Sequence, residues 1–325
     1  MGIESTAHTF SVGVVNDTGD VLSIAGDMFI PEEGGLHPLK TSMHHVDVFQ
    51  DVIRNALKKA GITLKSVDLL AFSQGPGLGP CLRTGATIAR SLHLGLKIPL
   101  VGVNHCVGHV EIGRITCGID DPLTLYVSGG NTIVSAFESG RYQVFGETLD
   151  IALGNMLDSF ARSAGLQHPG GPKIESLARK SRNYIDLPYT VKGMDLAFSG
   201  LLTAATRSLE EHPLEDVAFS LQETAFAMLT EVTERALAHT EKKDLLLTGG
   251  VAANKRLQEM VESISSEHDA SFHVVPAKLA GDNGAMIAWT GILKYKSQGG
   301  LSLQDTSVIP KWRLDQVPIT WRDEN

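Results

Sequence analysis

The sequence predicts an α/β protein built from two similar halves with a cleft between them. Two observations carry this. The first half runs as hairpin, helices, then a buried strand with a glycine turn and a further helix, and the second half repeats that order. In each half an apolar run also ends in glycines and passes directly into a helical pattern. Val67 to Phe72 precedes Gln74-Gly75-Pro76-Gly77-Leu78-Gly79-Pro80, and Asp244 to Leu247 precedes Thr248-Gly249-Gly250. No short sequence repeat accompanies the duplication. A chain of 325 residues is long enough for two domains with sizeable cores. The expected division is 1–120, 121–300 and a tail over 301–325.

In order, Phe10 to Val15 and Val21 to Ile24 flank the turn Asn16-Asp17-Thr18-Gly19 and form a β-hairpin. A loop from Pro31 to Pro38 leads into an amphipathic helix with Val46, Phe49, Ile53, Leu57 and Ala60 on one stripe, stopped by Gly61. Val67 to Phe72 is a strand, Leu82 to Leu94 a helix and Ile98 to Val103 a strand. The second half opens with strands over Leu123 to Val127 and Thr132 to Phe137, joined by Ser128-Gly129-Gly130-Asn131. Helices follow over Ala152 to Ala164, Lys173 to Lys180, Gly200 to Leu209 and Val217 to His239. Then come the strand Asp244 to Leu247, the helix Ala253 to Ile264, the strand Phe272 to Val275 and a last helix over Asp282 to Lys296.

Composition narrows the function. With 42% hydrophobic, 20% charged and 6% aromatic residues the chain is an ordinary globular protein. No apolar run reaches the roughly 20 residues that span a bilayer, and no basic, hydrophobic export segment opens the sequence, so the cytoplasm is the expected compartment and no membrane is expected as partner. Three cysteines without CxxC spacing, Cys81, Cys106 and Cys117, indicate free thiols. A formal charge of -9 speaks against nucleic-acid binding by bulk electrostatics. Two local basic groups, Lys173, Arg179, Lys180 and Arg182, and Lys242, Lys243, Lys255 and Arg256, are candidates for local contacts, with solvated helix faces as the competing explanation.

Asn104-His105-Cys106-Val107-Gly108-His109 is the stretch that bears most directly on chemistry. Asn104 suits an N-cap, and a helix from there puts His105 and His109 one turn apart on one face, where two imidazoles can share a metal ion. The competing explanation is a helix start with one buried and one exposed histidine. Zinc peptidases share this spacing but carry Glu after the first His as general base; Cys106 stands there instead, which disfavours a metallopeptidase. Near the other end, Asp282 precedes an apolar helix, where helix capping explains it without a metal.

The glycine turns suggest anion sites. Ser128 to Thr132 can gather backbone N–H groups into a nest, although a plain hairpin turn would use the same residues. Thr248 to Asn254 joins a strand to a helix, so Gly250 would admit a flat ligand and Asn254 could bond a sugar or base; a bare connection is the alternative. Gly75 to Gly79 matches no nucleotide fingerprint and is expected to be a structural turn lining the cleft. Asp158 and Glu175 are carboxylates of the kind that accept ribose hydroxyls, or else solvated helix residues.

Taken in order, the motifs Gly2 to Thr9, His105 to His109 with Glu111, Tyr126 to Thr132, Gly154-Asn155 with Asp158, His168 to Glu175, Thr248 to Asn254 and Gly281 to Gly284 closely resemble the universal tRNA threonylcarbamoyltransferase family, in its archaeal and eukaryotic KEOPS branch. The resemblance covers nearly the whole chain. It implies a duplicated actin-like, sugar-kinase-like fold. The implied reaction moves the threonylcarbamoyl group of threonylcarbamoyl-adenylate to N6 of the adenosine beside the tRNA anticodon, releasing AMP. By matching motif, His105, His109, Tyr126 and Asp282 would bind an iron or zinc ion, iron favoured. Tyr126, Val127, Ser128, Gly129, Gly130, Asp158, Gly171, Glu175, Gly250 and Asn254 would hold the adenine nucleotide. No catalytic base is implied. The implied partners are tRNA, a small kinase or ATPase subunit and a small dimerising subunit; no kinase Gly-rich loop or His-Arg-Asp motif occurs in these residues. Leu39-Lys40-Thr41 departs from the family's Arg-Glu pair after His37-Pro38. A non-catalytic nucleotide-binding scaffold of the same fold is the alternative.

Overall fold

The computed structural model describes residues 1–31 and 35–322; the middle of the Pro31 to Pro38 loop and the last three residues of the tail lie outside them. The chain opens with β1 (Gly2–Glu4), β2 (Thr9–Val15) and β3 (Val21–Met28), then α1 (Pro38–Ala60), β4 (Leu70–Gly75), α2 (Gly79–Leu96), β5 (Leu100–Asn104) and α3 (His105–Cys117). These strands form one sheet in the order β3-β2-β1-β4-β5, with β1 antiparallel to β2 and parallel to β4. The hairpin turn is tied by Asn16, whose Oδ1 accepts from the N–H groups of Thr18 and Asp20 at 3.2 and 2.8 Å. As expected, α1 stops at Gly61, at φ 68°.

The buried side of α1 differs from the apolar stripe. It is formed by Thr41, His45, Val52, Ile53 and Ala56, while Val46 is 54% exposed. Thr41 and His45 can go inside because each has a partner: Thr41 Oγ1 donates to the His37 carbonyl at 3.0 Å, and His45 Nε2 lies 3.0 Å from the Ala7 carbonyl oxygen. The same effect moves β4 past the apolar run. Ser73 and Gln74 are buried in it, because Ser73 Oγ accepts from Ser5 N and Gln74 Nε2 donates to the carbonyls of Asp305 and Ser307.

The second sheet takes β6 (Leu123–Val127), β7 (Thr132–Glu138) and β8 (Arg141–Glu147). It is followed by α4 (Leu153–Ser163), α5 (Gly170–Ala178), a two-residue pair β9 (Val191–Lys192) and β10 (Asp195–Leu196), α6 (Ser199–Ser208) and α7 (Leu214–Thr240). Then β11 (Asp244–Thr248), α8 (Lys255–Glu267), β12 (Ser271–Val274) and α9 (Ala277–Ala280) complete the order β12-β11-β6-β7-β8. β8 was not anticipated, since of its seven residues only Tyr142 and Gly146 are buried and no strict alternation marks it. The α7 helix lies in the core of this half, burying Leu221, Phe226, Leu229 and Val232.

Contacts divide the chain into two compact units, 1–115 with 138–142 and 282–325, and 116–137 with 143–281. The last long helix, α10 (Gly284–Gln298), which the sequence grouped with the second half, therefore belongs to the first unit. There it packs on β1, β2 and β4. Glycine makes this possible. A Cβ on Gly284 would stand 2.1 Å from Gly13 N, one on Gly13 2.2 Å from Ala285 N, and one on Gly2 2.2 Å from Ala288 N. The tail lies on the same unit, with Ile309 N donating to the Gln74 carbonyl at 2.8 Å and Arg90 Nε to Thr306 Oγ1 at 2.7 Å. Replacing Gly13 by Ala should overpack this helix–sheet contact and destabilise the protein by about 3 kcal/mol, read as a fall in the thermal or denaturant midpoint; Gly61→Ala, with open space around it, should cost only the strain of its positive φ.

Candidate functional site

In the first unit, α3 begins where the sequence put it. Asn104 Oδ1 accepts from the N–H groups of Cys106 and Val107 at 2.9 and 3.2 Å, capping the helix. Both histidines are buried, His105 at 5% exposure and His109 at 0%, so the picture of one inside and one outside is ruled out. Their rings meet edge to face with centroids 4.8 Å apart.

Asp282 joins them from the start of α10. Capping does not explain it: Asn283 caps that helix, its Oδ1 accepting from the N–H groups of Ala285 and Met286 at 3.0 Å each. The Asp282 carboxylate is left to approach the imidazoles. Its Oδ1 lies 3.2 Å from His109 Nε2 and 3.5 Å from His105 Nε2. Among the described residues these three side chains are the group whose donor atoms, all within 4.8 Å of one another, could hold a metal ion.

Glu4, an acid to which the sequence alone assigns no role, completes the arrangement. It is fully buried at the end of β1, and its Oε2 lies 3.0 Å from His105 Nδ1. Thr6 N donates to the other oxygen at 2.7 Å, and the Thr6 hydroxyl bonds to it as well. A carboxylate on Nδ1 orients the ring so that Nε2 faces Asp282. The signal lay in the sequence as an acid closing an otherwise buried first strand, but nothing in Gly2 to Thr9 says which side chain it meets.

Electrostatics sorts the two rings. Burial alone would lower the His105 pKa, but the Glu4 and Asp282 charges outweigh it and raise it to about 9. Burial dominates at His109 and lowers its pKa despite the bond to Asp282. Asp282 is held well below the usual carboxylate range, the imidazoles overcoming its own desolvation. Burial, with the Asp282 and Glu4 charges, pushes the Cys106 thiol up to about 12, so it stays a neutral thiol. The three cysteines are free thiols, as expected.

The glycine turns belong to the second unit. Ser128 N donates to the Asn131 carbonyl at 2.8 Å and Asn131 N to Ser128 Oγ at 3.0 Å, closing a tight turn after Val127. Gly129 and Gly130 at its tip are exposed, with open space where a side chain would stand. Gly154 N donates to the Ser128 carbonyl at 3.1 Å, which seats the first turn of α4 against the loop. Gly249, at φ 95°, presses on the Val127 carbonyl so closely that a Cβ would be 2.2 Å from it, while Gly250 beside it is open. Tyr126 is fully buried in β6, and its hydroxyl accepts from Asn131 Nδ2 at 3.3 Å.

Three candidates are partly engaged in structure. Asp158 Oδ1 accepts from Gly170 N at 2.7 Å at the start of α5. Glu175 Oε1 accepts from Lys255 N at 3.0 Å and from Arg179. Asn254 caps α8 through Oδ1 and donates to Gln222 Oε1 at 2.9 Å. Gly171 has one side-chain atom, Leu157 Cδ1, at 4.0 Å from where its Cβ would lie. The Gly75 to Gly79 turn is structural: Gly77 N donates to the Pro310 carbonyl and Leu78 N to that of Thr6. Of the two basic groups, Arg179 pairs with Glu175, Lys242 with Asp121 and Arg256 with Glu223.

Comparison with known proteins agrees with the motifs. The profile of the family described as tRNA N6-adenosine threonylcarbamoyltransferase matches residues 21–289. A probable bifunctional tRNA threonylcarbamoyladenosine biosynthesis protein of Methanothermobacter thermautotrophicus is 57% identical over 326 residues, covering 100% of this chain and 61% of that protein. The tRNA N6-adenosine threonylcarbamoyltransferase of Archaeoglobus fulgidus is 54% identical over 322 residues, covering 99% of each chain. The chain thus spans about three fifths of the length of the bifunctional relatives. Among solved structures, HypF of T. kodakarensis superposes with a TM-score of 0.64 at 15% identity over 94% of this chain and 49% of that one. The activator of 2-hydroxyisocaproyl-CoA dehydratase from Clostridium difficile, solved with bound ADPNP, gives 0.57 at 11% identity over 91% and 94%. Identities this low speak for the fold alone, and the fold is the actin-like α/β architecture with two five-stranded mixed sheets. The chain belongs to the tRNA N6-adenosine threonylcarbamoyltransferase family.

Proposed function

We propose that this chain transfers the threonylcarbamoyl group from threonylcarbamoyl-adenylate to N6 of the adenosine adjacent to the tRNA anticodon, releasing AMP. The observation that supports it best is the meeting of His105, His109 and Asp282, with Glu4 behind His105, in a chain of this family. Two imidazole nitrogens and a carboxylate oxygen fit a metal ion, and a buried carboxylate on the far nitrogen of one ligand is the usual outer-shell arrangement. His105 and His109 through Nε2 and Asp282 through Oδ1 would hold the ion. Tyr126 as a fourth ligand, and iron in preference to zinc, rest on the family resemblance. Bound there, the ion would supply Lewis-acid and orienting chemistry toward the threonyl carboxylate or carbamoyl oxygen.

The other tasks fall to the chain itself. The exposed turn at Gly129 and Gly130, with open space where side chains would stand, suits the phosphate that leaves as AMP, which backbone N–H groups of such a turn would receive as a nest. Gly171 and Gly250 give a flat base or ribose room to approach. Asp158 Oδ1 and Glu175 Oε1 are already bonded and Asp158 Oδ2 lies 3.5 Å from His168 Nδ1, so ribose contact would use Glu175 Oε2 and share Asp158 Oδ2 with that imidazole. Asn254 would contribute its second amide hydrogen, the first being held by Gln222. Alignment of the weakly nucleophilic adenosine amine with the activated carbonyl would supply most of the rate. No side chain is assigned as base.

The charge of -9, with Arg179, Lys242 and Arg256 paired to acids of the chain, assigns much of the tRNA grip to basic partners. We infer a KEOPS-like assembly in the cytoplasm with a small kinase or ATPase subunit and a small dimerising subunit. No helix among the described residues is long and apolar enough to cross a membrane.

Incubation with these partners, threonylcarbamoyl-adenylate and unmodified tRNA should yield threonylcarbamoyladenosine on nucleoside analysis; persistent silence with metal bound would favour a nucleotide-binding scaffold instead. His105→Ala and His109→Ala should each empty the metal site in elemental analysis. Glu4→Gln should retain the ion but bind it about 10- to 100-fold more weakly by chelator competition. Because the His105 pKa in the metal-free protein is about 9, an ion must expel that proton, whereas His109 has none to give at neutral pH. Apparent metal affinity should therefore rise about tenfold per pH unit from pH 7 and level off above about 9. A flat profile would mean that His105 holds no proton for the ion to displace over that range.

A further inference from the structure

The helix that carries both histidines is held by the C-terminal tail at its start and at its middle. At the N-terminal end Asn104 Nδ2 donates to the Trp312 carbonyl at 3.1 Å, so one side chain both caps α3 and holds the tail. Seven residues on, Glu111 is buried at 1% exposure. Its Oε1 accepts from Tyr142 Oη at 2.5 Å and from Trp321 Nε1 at 3.1 Å, and its Oε2 from Arg114 Nη1 at 2.7 Å. His105 and His109 lie between these two grips.

The tail is itself anchored. Leu314, Val317 and Ile319 are buried, Ile319 N donates to the Gly140 carbonyl at 2.8 Å, and the Lys294 ammonium sits 5.5 Å from the Trp312 ring centroid. All of these residues belong to the first unit. None touches the three donor atoms, yet the spacing of those atoms depends on where α3 sits. Asp282 comes from a different element, and metal bond lengths tolerate errors of only about 0.2 Å. A small slide or rotation of α3 would pull both imidazoles away from it together.

We propose that the C-terminal tail is a positioning strap for the metal-bearing helix, and that Trp321, through its N–H on Glu111, is the positioning residue that sets the donor geometry of His105 and His109. This rests on the metal reading above. It assigns to the tail a task in the chemistry of the first unit beyond covering its surface.

The test uses Co²⁺ added to the full metal-free chain, read by chelator competition and by its visible ligand-field bands. Trp321→Phe keeps the ring body and removes the N–H. It should weaken Co²⁺ binding about tenfold, the low end for outer-shell partners, and shift the bands, while leaving thermal unfolding of the metal-free protein nearly unchanged. Trp321→Ala should weaken binding further; if it does not fold, the Phe variant decides. Wild-type affinity and spectrum in a folded Trp321→Phe protein would overturn the strap. His105→Ala and His109→Ala run alongside. If they lose Co²⁺ while the Trp321 variant binds normally, the strap alone falls; if they too bind normally, the metal assignment has failed and the strap with it.

Discussion

The centre of the first unit depends on two backbones lying closer than side chains permit. α10 rests on β1 and β2 where Gly2, Gly13 and Gly284 leave no Cβ in the way, and Gly284 N donates to Ser11 Oγ at 3.1 Å. Asp282 stands two residues before that contact. With the helix start pinned to the sheet, its carboxylate reaches His109 at 3.2 Å. A wider spacing would move the acid off the imidazoles without disturbing any residue that looks functional. Packing density here is a condition of the chemistry, and the glycines act through what they leave out.

The charges gathered in that space explain why it suits a cation. Glu4 and Asp282 face two imidazoles, one of which carries a proton in the metal-free protein while burial keeps the other neutral. Counted formally, two carboxylates and one imidazolium leave one negative charge in a buried place, which is costly unless compensated. A divalent ion in place of that proton would bring the sum to zero. Cys106, next to His105 in sequence, takes no part in this balance because its thiol is held neutral.

Much of this was legible in the sequence, and where it was not the reasons are physical. The Asn104 cap, the shared face of His105 and His109, the hairpin at Asn16 and the stop at Gly61 are local, so propensity and spacing suffice. The stripe on α1 misled because Thr41 and His45 are buried with bonds to the His37 and Ala7 carbonyls, partners no periodicity reveals. β4 ran past its apolar stretch because Gln74 finds the backbone of Asp305 and Ser307, more than 200 residues away. Likewise the unit to which α10 belongs, and the partner of Glu4, are set by contacts across the length of the chain. The family came from the order of the motifs, which singly were weak.

Asp282 and Asn283 divide two jobs that either side chain could attempt. Asn283 satisfies the first amides of α10, and its neighbour is thereby left for the imidazoles. Were the pair transposed, the helix would still be capped, since Asp caps as well as Asn, and composition and length would be untouched. The donor facing the histidines would instead be a neutral amide. For any relative of this chain, the order of those two letters is therefore worth more as a marker of competence than the presence of both.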